Sequence, residues 1–244
     1  LVQNGDFSEE GAEEVSNGSF SQEGVELVTN GDFSNGFTNW VTYGNTSVSN
    51  GVATIGASGN SGIYQGILSQ NKSYKVTINV TAYNGVGQAQ VANDLGQVLY
   101  SITEVGEQIF YFNHSITNLN LIIRGLSNAL FSIDNISCVE VGQDWNLIGT
   151  ATITENQANI VTTSAVTGIS QSNILTIGKS YKLSYNIVSN NNGGLKISGN
   201  EIPSVVGNNI YYFEASAAAL EILRNSGITD ISITNISVKE VRSE

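Results

Sequence analysis

The stretch LSQNKSYKVTINV, residues 68–80, returns as LTIGKSYKLSYNI at 175–187. Apolar and polar residues alternate in both stretches, so that Val76, Ile78 and Val80 share one face of an extended chain. Alternation with a period of two is typical of a strand that buries one face and exposes the other. The pair therefore predicts two copies of one β-domain.

Further matches extend the repeat over most of the chain. SNGVATI aligns with ENQANIV, GIYQ with GISQ, IFYF with IYYF, and FSIDNISCVEV with ISITNISVKEV, and Trp40 corresponds to Trp145. Turn signals such as NG and NNNGG separate these segments, a pattern that indicates an antiparallel sandwich. We predict an all-β protein with one domain at residues 25–142 and a divergent copy at 143–244. The helix-like EASAAALEILRNSG, residues 214–227, is expected to be strand, because its counterpart alternates.

A 13-residue unit occurs three times at the start, as LVQNGDFSEEGAE, EVSNGSFSQEGVE and LVTNGDFSNGFTN. Only the third unit leads into a domain, and a unit of this length cannot close a core alone. It can add a strand to a sheet edge of its own chain or of a neighbour. Residues 1–24 are therefore predicted to be docking strands, and an acidic flexible linker is the alternative. Phe7 and Phe20 favour docking, because a free linker gains nothing from large apolar side chains.

Composition excludes several classes of function. Charged residues make up 12% of the chain and its net charge is −12, with no cluster of Lys or Arg, so nucleic-acid binding is not expected. The single cysteine, Cys138, rules out an internal disulfide and a cysteine zinc site. No apolar run approaches the roughly 20 residues of a membrane helix, so membrane insertion is not expected either.

The sequence offers little for catalysis. His114 is the only histidine and lies at a strand end or turn, where we expect a surface residue and not a general base. Six glutamates lie within the first 26 residues, and five of them precede the first domain. Neither a nucleophile elbow nor a phosphate-binding glycine loop is present. We therefore predict that the protein is not an enzyme.

The two ends of the first copy resemble those of a known family. The opening NGDFS…W, with Asp32, Phe33 and Trp40, and the closing IDNISCVEV, with Asp134, look like the ends of galactose-binding-like jelly-roll carbohydrate-binding modules. The resemblance spans the first copy and is weaker in the second, which keeps DWNL and ITNIS. The opening phrase ELVTNGDF also resembles the tandem modules of bacteriophage tail and head fibre proteins.

This resemblance implies a jelly-roll sandwich whose concave face holds a glycan, with a structural calcium near the paired chain ends. Asp32 and Asp134 could meet there, since the first and last strands of such a domain usually lie side by side, and calcium takes carboxylate and carbonyl oxygens. The alternative is that Asp32 only caps the Asn-Gly turn. The second copy has Thr234 in place of the second aspartate. No other cofactor is expected.

A glycan site needs an aromatic platform for the sugar ring, with amides and charged groups for its hydroxyls. In the first copy the strand KVTINVTAY, the adjacent GQAQVAN and NLIIRG, and two tyrosines in rim loops offer Tyr43, Tyr64, Asn79, Tyr83, Gln88, Gln90 and Arg124. The alternative is that these are merely solvated strand faces. The second copy is expected to be scaffold, because Tyr181 and Tyr185 lie on the same strand face as its apolar residues and so leave few aromatic rings facing outward.

These features predict a non-catalytic structural or adhesive protein of a virion fibre or similar surface appendage, with glycan binding through the first domain. The expected partners are further copies of itself, other virion or appendage subunits and a cell-surface glycan. The alternative is the carbohydrate-binding region of a secreted bacterial glycoside-active enzyme or of a cell-surface adhesin. Either function implies an extracellular location, on a virion surface or a cell-surface appendage.

Overall fold

The computed structural model describes residues 9–56 and 59–241. Every regular element in this part is a β-strand, including those within 214–227, so the predicted all-β class is confirmed. The first twelve strands are β1 (Glu10–Glu13), β2 (Glu23–Glu26), β3 (Val41–Tyr43), β4 (Thr46–Ser49), β5 (Val52–Ile55), β6 (Ser61–Gly66), β7 (Lys72–Tyr83), β8 (Gln88–Ala92), β9 (Val98–Ile102), β10 (Gly106–His114), β11 (Asn120–Leu126) and β12 (Phe131–Val141). The others are β13 (Asn146–Ile148), β14 (Thr152–Thr154), β15 (Gln157–Thr162), β16 (Gly168–Gln171), β17 (Ser180–Asn192), β18 (Leu195–Ile197), β19 (Asn200–Ile202), β20 (Gly207–Glu214), β21 (Leu220–Arg224) and β22 (Thr229–Val241).

The chain divides into two compact units, and one of them is interrupted by the other. Residues 24–140 form one unit, here called the inserted domain. Residues 9–23 and 141–241 together form the second, here called the split domain. The sequence predicted a separate segment at 1–24. The structure differs at residues 9–23, which belong to the same unit as the second copy, while residues 1–8, including Phe7, lie outside the described residues.

Each domain consists of two antiparallel sheets, and the arrangement is the same in both domains. In the inserted domain one sheet has the order β10-β7-β12-β5-β4, with β2 also on β12, and the other has the order β3-β6-β11-β8-β9. In the split domain the orders are β20-β17-β22-β15-β14, with β1 also on β22, and β13-β16-β21-β18-β19. The strand orders correspond one to one, so the repeat in the sequence is a repeat of topology.

The core of the inserted domain lies between its two sheets. The inward positions of β7, including Val76 and Ile78, are fully buried in one cluster with Ile63 of β6 and Ile123 of β11. Burial of each such side chain contributes roughly 1.5–3 kcal/mol. The alternation seen in the sequence therefore marks the faces correctly, and the outward positions of β6 and β11 are left for other contacts.

Each domain begins with an Asn-Gly-x-Phe segment that docks against its last strand and its tryptophan. In the inserted domain the Asn30 carbonyl accepts a hydrogen bond of 3.0 Å from Trp40 Nε1, and the Phe33 and Trp40 ring centroids are 5.6 Å apart. In the split domain Asn17 and Trp145 make the same bond at 3.0 Å, and the rings of Phe20 and Trp145 are 5.3 Å apart. We call residues 13–21 the second opening segment and 26–34 the third.

The glycine of each opening segment is required by a close approach to the last strand. The Gly18 carbonyl accepts a hydrogen bond of 2.9 Å from Ile236 N, and a Cβ on Gly18 would lie 1.9 Å from the Ile236 oxygen. Gly31 and Ile136 repeat the bond at 3.0 Å, with the Cβ at 2.1 Å. Any larger residue would separate the opening segment from the sheet.

A glutamate fastens the start of each opening segment. Glu13 Oε1 accepts hydrogen bonds from Val15 N at 3.1 Å and Val238 N at 2.8 Å. Glu26 Oε1 does the same with Val28 N at 2.8 Å and Cys138 N at 2.9 Å. The second opening segment therefore packs on a domain body that begins about 120 residues later in the chain. It belongs to the second copy of the domain, and the third opening segment belongs to the first copy.

Two expectations about single residues have different outcomes. Trp40, expected in the core, is 6% exposed. His114, expected on the surface, is 1% exposed, so that expectation is wrong. The chain turns back after β10, and this brings the backbone oxygen of Asn118 against His114 Nε2.

Candidate functional site

The outward face of the sheet β3-β6-β11-β8-β9 gathers aromatic and polar side chains in one row. Tyr43 pairs across the strands with Gly62, Gly62 with Arg124, and Arg124 with Gln90. Directly paired residues of antiparallel strands point to the same side, and the alternate positions Ile63 and Ile123 are fully buried. The row therefore faces away from the core, and we call it the candidate face.

Two tyrosines form the aromatic end of the candidate face. The ring centroids of Tyr43 and Tyr64 are 6.5 Å apart with the planes tilted by 46°. A Cβ on Gly62 would lie 2.6 Å from Tyr43 Oη, so the missing side chain lets the Tyr43 ring lie close against β6. Partial burial raises the pKa of the Tyr43 phenol, and the nearby Arg124 cation opposes that shift.

The other end of the candidate face is a fixed chain of hydrogen bonds. Arg124 Nε and Nη2 donate to Gln90 Oε1 at 3.3 and 3.2 Å, and Nη2 also donates to the Gly96 carbonyl at 2.9 Å. Gln90 Nε2 donates in turn to Gln88 Oε1 at 3.3 Å. These bonds hold the guanidinium and both amides in place before any ligand arrives.

A shallow cavity of about 220 Å³ adjoins the row at Gln88 and Gln90. Its lining also includes Tyr83, at the end of β7, and Ser101 on β9. The cavity thus continues the polar end of the candidate face and brings a third tyrosine to it.

The structure brings most of the predicted glycan residues together. The candidate face holds Tyr43, Tyr64, Gln88, Gln90 and Arg124, and Tyr83 lies at the adjoining cavity. Two details of the prediction are wrong. Tyr43 and Tyr64 lie on strands and not in rim loops. Asn79 lies on β7 in the opposite sheet, because β7 pairs with β10 and β12 and not with β8.

The candidate face also carries polar groups that the sequence reasoning missed. Asn120, at the start of β11, donates to Asp94 through its backbone N at 3.0 Å and through Nδ2 at 2.6 Å. Asp94 is exposed in the turn after β8. Its place in the turn NDLG looks purely structural in the sequence, and only the pairing of β8 with β11 shows that the two residues meet.

The split domain has a different set of side chains at the matching positions. The cross-strand register places Ile148 where Tyr43 stands, Ser170 for Tyr64, Leu223 for Arg124 and Lys196 for Gln90. The tyrosine pair and the arginine–glutamine bond are therefore confined to the inserted domain. Tyr181 and Tyr185, assigned to the core from the sequence, are 1% and 2% exposed.

The two aspartates that the sequence offers for calcium make local hydrogen bonds. Asp32 Oδ1 accepts from Ser34 N at 3.1 Å and from Ser34 Oγ at 3.0 Å, and these bonds lower the pKa of its carboxyl. Asp134 accepts from Asn135 N at 2.7 Å and from Asn135 Nδ2 at 3.1 Å. Within residues 9–56 and 59–241, no three His, Cys, Asp or Glu side chains are grouped to hold a metal.

In the split domain Thr234 occupies the position that corresponds to Asp134, and its contacts show which groups surround that position. There Thr234 Oγ1 donates to the Asn156 carbonyl at 2.8 Å and lies 3.4 Å from the Ser19 carbonyl. The strand alignment makes Gly51 and Asp32 the counterparts of Asn156 and Ser19. A carboxylate at position 134 cannot donate to carbonyls as the threonine does. Calcium takes carboxylate and carbonyl oxygens, which are the groups that Asp134, Asp32 and Gly51 carry.

Other features of the described residues concern location and catalysis. None of the described residues forms a helix with the length and hydrophobicity of a membrane span. His114 Nε2 is turned to the Asn118 backbone, and the side chain lies in the interior at the end of β10. Burial raises the pKa of the Cys138 thiol to about 12, with a smaller contribution from Glu26, so the thiol stays protonated near neutral pH.

Comparisons with known proteins give structural likenesses only. No protein-family model and no curated protein matches the chain. One similar solved structure is the N-terminal CBM22-1–CBM22-2 tandem domain of Paenibacillus barcinonensis Xyn10C, with a TM-score of 0.39 and 9% identity, covering 90% of this chain and 99% of that one. Another is a CBM4 structure, with a TM-score of 0.29 and 13% identity over 52% of this chain and 99% of that one. A third is the fucolectin of striped bass, Morone saxatilis, with a TM-score of 0.30 and 9% identity over 80% and 86%.

Proposed function

We propose that the candidate face of the inserted domain binds a glycan. The observation that carries the proposal is the row itself, in which a tyrosine pair on β3 and β6 stands beside an arginine on β11 that is already bonded to a glutamine on β8. Three strand spacings separate Tyr43 from Gln90, about 14 Å, so the row is long enough for more than one sugar unit.

The chemistry of the row matches the two kinds of surface on a sugar. The C–H face of a sugar ring packs on an aromatic ring, and its hydroxyls exchange hydrogen bonds with amides, guanidinium and carboxylate. Arg124 and Gln90 are held by bonds within the protein, so binding costs little side-chain ordering. Tyr43, Tyr64 and Arg124 are half-buried and Gln90 is 8% exposed, so the rings and the guanidinium are the groups of the row that a glycan can reach.

Glycan-array binding of the full chain tests the proposal. Tyr64→Ala removes an outward ring and should abolish retention, with the melting temperature nearly unchanged, while Tyr64→Phe should retain binding. Asn79→Ala is the matched control, because Asn79 lies on the opposite sheet and its loss should change nothing. Absence of binding by the unchanged protein across a broad array would reject the proposal.

We also propose a structural calcium at Asp134 in the inserted domain, with Asp32 and Gly51 as backbone carbonyl ligands. The support is the threonine at the matching position of the split domain, which bonds to carbonyls directly. Calcium at 100 times its dissociation constant would add roughly 2.7 kcal/mol to the stability of the inserted domain. Asp134→Thr copies the split domain and should remove this calcium dependence without unfolding the chain.

The setting in which this binding would act is a further part of the proposal. A non-catalytic, extracellular role on a virion fibre or surface appendage follows from the sequence resemblance and from the repeated opening segments. The alternative is the carbohydrate-binding region of a secreted glycoside-active enzyme or of an adhesin. The mass and symmetry of the native assembly separate the two, because a fibre subunit should form closed or repeating oligomers and a binding region should not.

A further inference from the structure

A cavity of about 440 Å³ lies at one end of the split domain, where β15 ends and β22 begins. Its volume falls within the roughly 300–1,000 Å³ that is typical of small-molecule sites. Three connections between strands supply its lining, with Thr150 after β13, Ser164 after β15 and Ile228 before β22. Residues of the split domain alone therefore build this cavity.

One wall of the cavity carries a buried hydroxyl group without a partner. Thr229 lines the cavity and is 0% exposed, and among the described residues its Oγ1 has no hydrogen-bond partner. Its cross-strand neighbour Thr162 differs, because Thr162 Oγ1 accepts a hydrogen bond of 3.1 Å from Ala165 N. An unpaired buried hydroxyl costs free energy, since it has lost its water and gained no partner. A ligand in the cavity would supply the missing hydrogen bond.

A carboxylate follows this hydroxyl in the chain and lines the same cavity. Asp230 Oδ2 accepts a hydrogen bond of 3.0 Å from Asn191 Nδ2. None of the ion pairs formed by the described residues involves Asp230. A carboxylate accepts several hydrogen bonds, so Asp230 keeps acceptor capacity for a charged donor.

The rest of the lining is aliphatic or carries hydroxyl groups. Val161, directly opposite Asp230 on β15, and Ile228 are exposed apolar side chains. None of the described lining residues is aromatic, so the cavity lacks the ring platform that the candidate face offers to a sugar. None of them is basic either, so an anion would be repelled by the carboxylate. The lining fits a short aliphatic ligand with a cationic hydrogen-bond donor.

Hydrogen bonds hold the wall of the cavity in place before a ligand arrives. Arg224 Nη2 donates to the Ser164 carbonyl and Nη1 donates to the Gly227 carbonyl at 2.8 Å, so that two of the lining connections are joined. Thr150 Oγ1 donates to the Val161 carbonyl at 2.6 Å and fastens the third. Binding therefore costs little ordering of the protein.

The inserted domain lacks both acceptors at the matching positions. The alignment of FSIDNISCVEV with ISITNISVKEV places Ala129 and Leu130 where the split domain has Thr229 and Asp230. Ala129 is buried in the core of the inserted domain, so the fold itself needs no hydroxyl at this position. The two acceptors are therefore a property of the split domain and not of the shared framework.

We propose that this cavity of the split domain binds a small alkylammonium ion. Its ammonium group donates hydrogen bonds to Thr229 Oγ1 and to the Asp230 carboxylate, and its alkyl part contacts Val161 and Ile228. The site lies in the other domain from the candidate face and does not depend on glycan binding.

Titration of the full chain with butylammonium chloride at constant ionic strength, followed by amide NMR spectra, tests the site. Saturable shifts are expected at residues 162–165 and 228–230 and not at the candidate face. Butanol keeps the alkyl chain without the charge, and butyltrimethylammonium keeps the charge without an N–H donor. Both should bind at least about tenfold more weakly, because a hydrogen bond to a charged group is stronger than a neutral one and a quaternary ammonium donates none.

Two variants test the acceptors. Asp230→Asn removes the charge at nearly constant shape and should weaken butylammonium binding at least about tenfold. Thr229→Val replaces the unpartnered hydroxyl by a methyl group and should weaken binding without lowering the melting temperature of the free protein. Glu221→Gln is the matched control, since Glu221 is an exposed carboxylate of the same domain that does not line the cavity.

The proposal is overturned if no saturable shift occurs at the cavity, if butanol binds as tightly as butylammonium, or if Asp230→Asn binds as well as the unchanged chain. A fall in the melting temperature of Thr229→Val would show that the hydroxyl is bonded within the protein, and would overturn its role. Nα-acetyl-lysine N-methylamide presents the same ammonium group on a peptide backbone. Tighter binding of this compound than of butylammonium would overturn the assignment to a free amine.

Discussion

Phe20→Ala should destabilise a domain whose body begins about 120 residues further along the chain. Phe20 is 1% exposed and packs on Trp145, while the inserted domain has its own equivalent in Phe33. Truncation of a buried phenylalanine to alanine typically costs about 3–5 kcal/mol. Domains of this size have a total stability of roughly 5–15 kcal/mol, so the loss is a large part of it.

The expected effect is a fall of about 10–20 °C in the melting temperature of the split domain. Hydrogen exchange followed by mass spectrometry resolves the two domains, through β17 in the split domain and β7 in the inserted one. The buried thiol of Cys138 is a second reporter, because it lies in the inserted domain and reacts only when that domain opens. Phe20→Ala should raise exchange in β17 and leave both β7 and Cys138 protected.

Two results would refute this reasoning. If β17 keeps its protection in Phe20→Ala, the second opening segment does not belong to the split domain. If β7 and β17 lose protection together, the two domains do not unfold as the separate units that the contacts indicate.

Other predictions test single contacts. Glu13→Gln should weaken the second opening segment and lower the unfolding midpoint of the split domain alone in denaturant titrations, and Glu26→Gln should weaken the third and lower the midpoint of the inserted domain first. The hydrogen bonds from Lys182 and Lys239 lower the pKa of Glu10, so their stabilisation of β1 should be complete above pH 4.5 and lost as the pH falls below it; Glu10→Gln should flatten that acid limb in thermal melts. In native protein Cys138 should resist maleimide at pH 7, and rapid labelling without denaturant would contradict its burial.

The sequence predicted the fold well because the alternation of apolar and polar residues is a local pattern. The alternation in YKVTINV needs only neighbouring residues to be recognised, and it identified the buried faces of β7 and β17. Pairing between distant strands is not local. The sequence therefore placed Asn79 beside Gln88, although β7 and β8 lie in different sheets, and it could not show that Asp94 meets Asn120.

The sequence also could not show that the first domain is inserted between the second opening segment and the body of the split domain. The units at 1–13, 14–26 and 27–39 are so alike that nothing local says which body each one serves. The body on which each unit packs is shown by contacts such as that of Trp145 with the Asn17 carbonyl, which join residues 128 positions apart. Burial of Phe20, in contrast, followed from its chemistry alone, since docking was the favoured interpretation of a segment with large apolar residues.

Because the inserted domain interrupts the split domain, the stability of the split domain depends on the folding of the inserted domain, and not the reverse. This dependence gives the last prediction. While the inserted domain is folded, β2 and β12 lie side by side and hold the second opening segment near the start of its body. When the inserted domain unfolds, the same connection becomes a flexible loop of about 120 residues instead of a few. That is about five doublings of loop length at about 0.6 kcal/mol each, so closing the split domain costs about 3 kcal/mol more.

Phe33→Ala should therefore destabilise both domains, the inserted one through its core and the split one through this loop, whereas Phe20→Ala should affect the split domain alone. In denaturant titrations followed by hydrogen exchange, β17 should lose protection at lower denaturant in Phe33→Ala than in the unchanged chain. If β17 in Phe33→Ala unfolds at its normal midpoint after β7 has opened, the second opening segment stays docked without the inserted domain, and the loop argument fails.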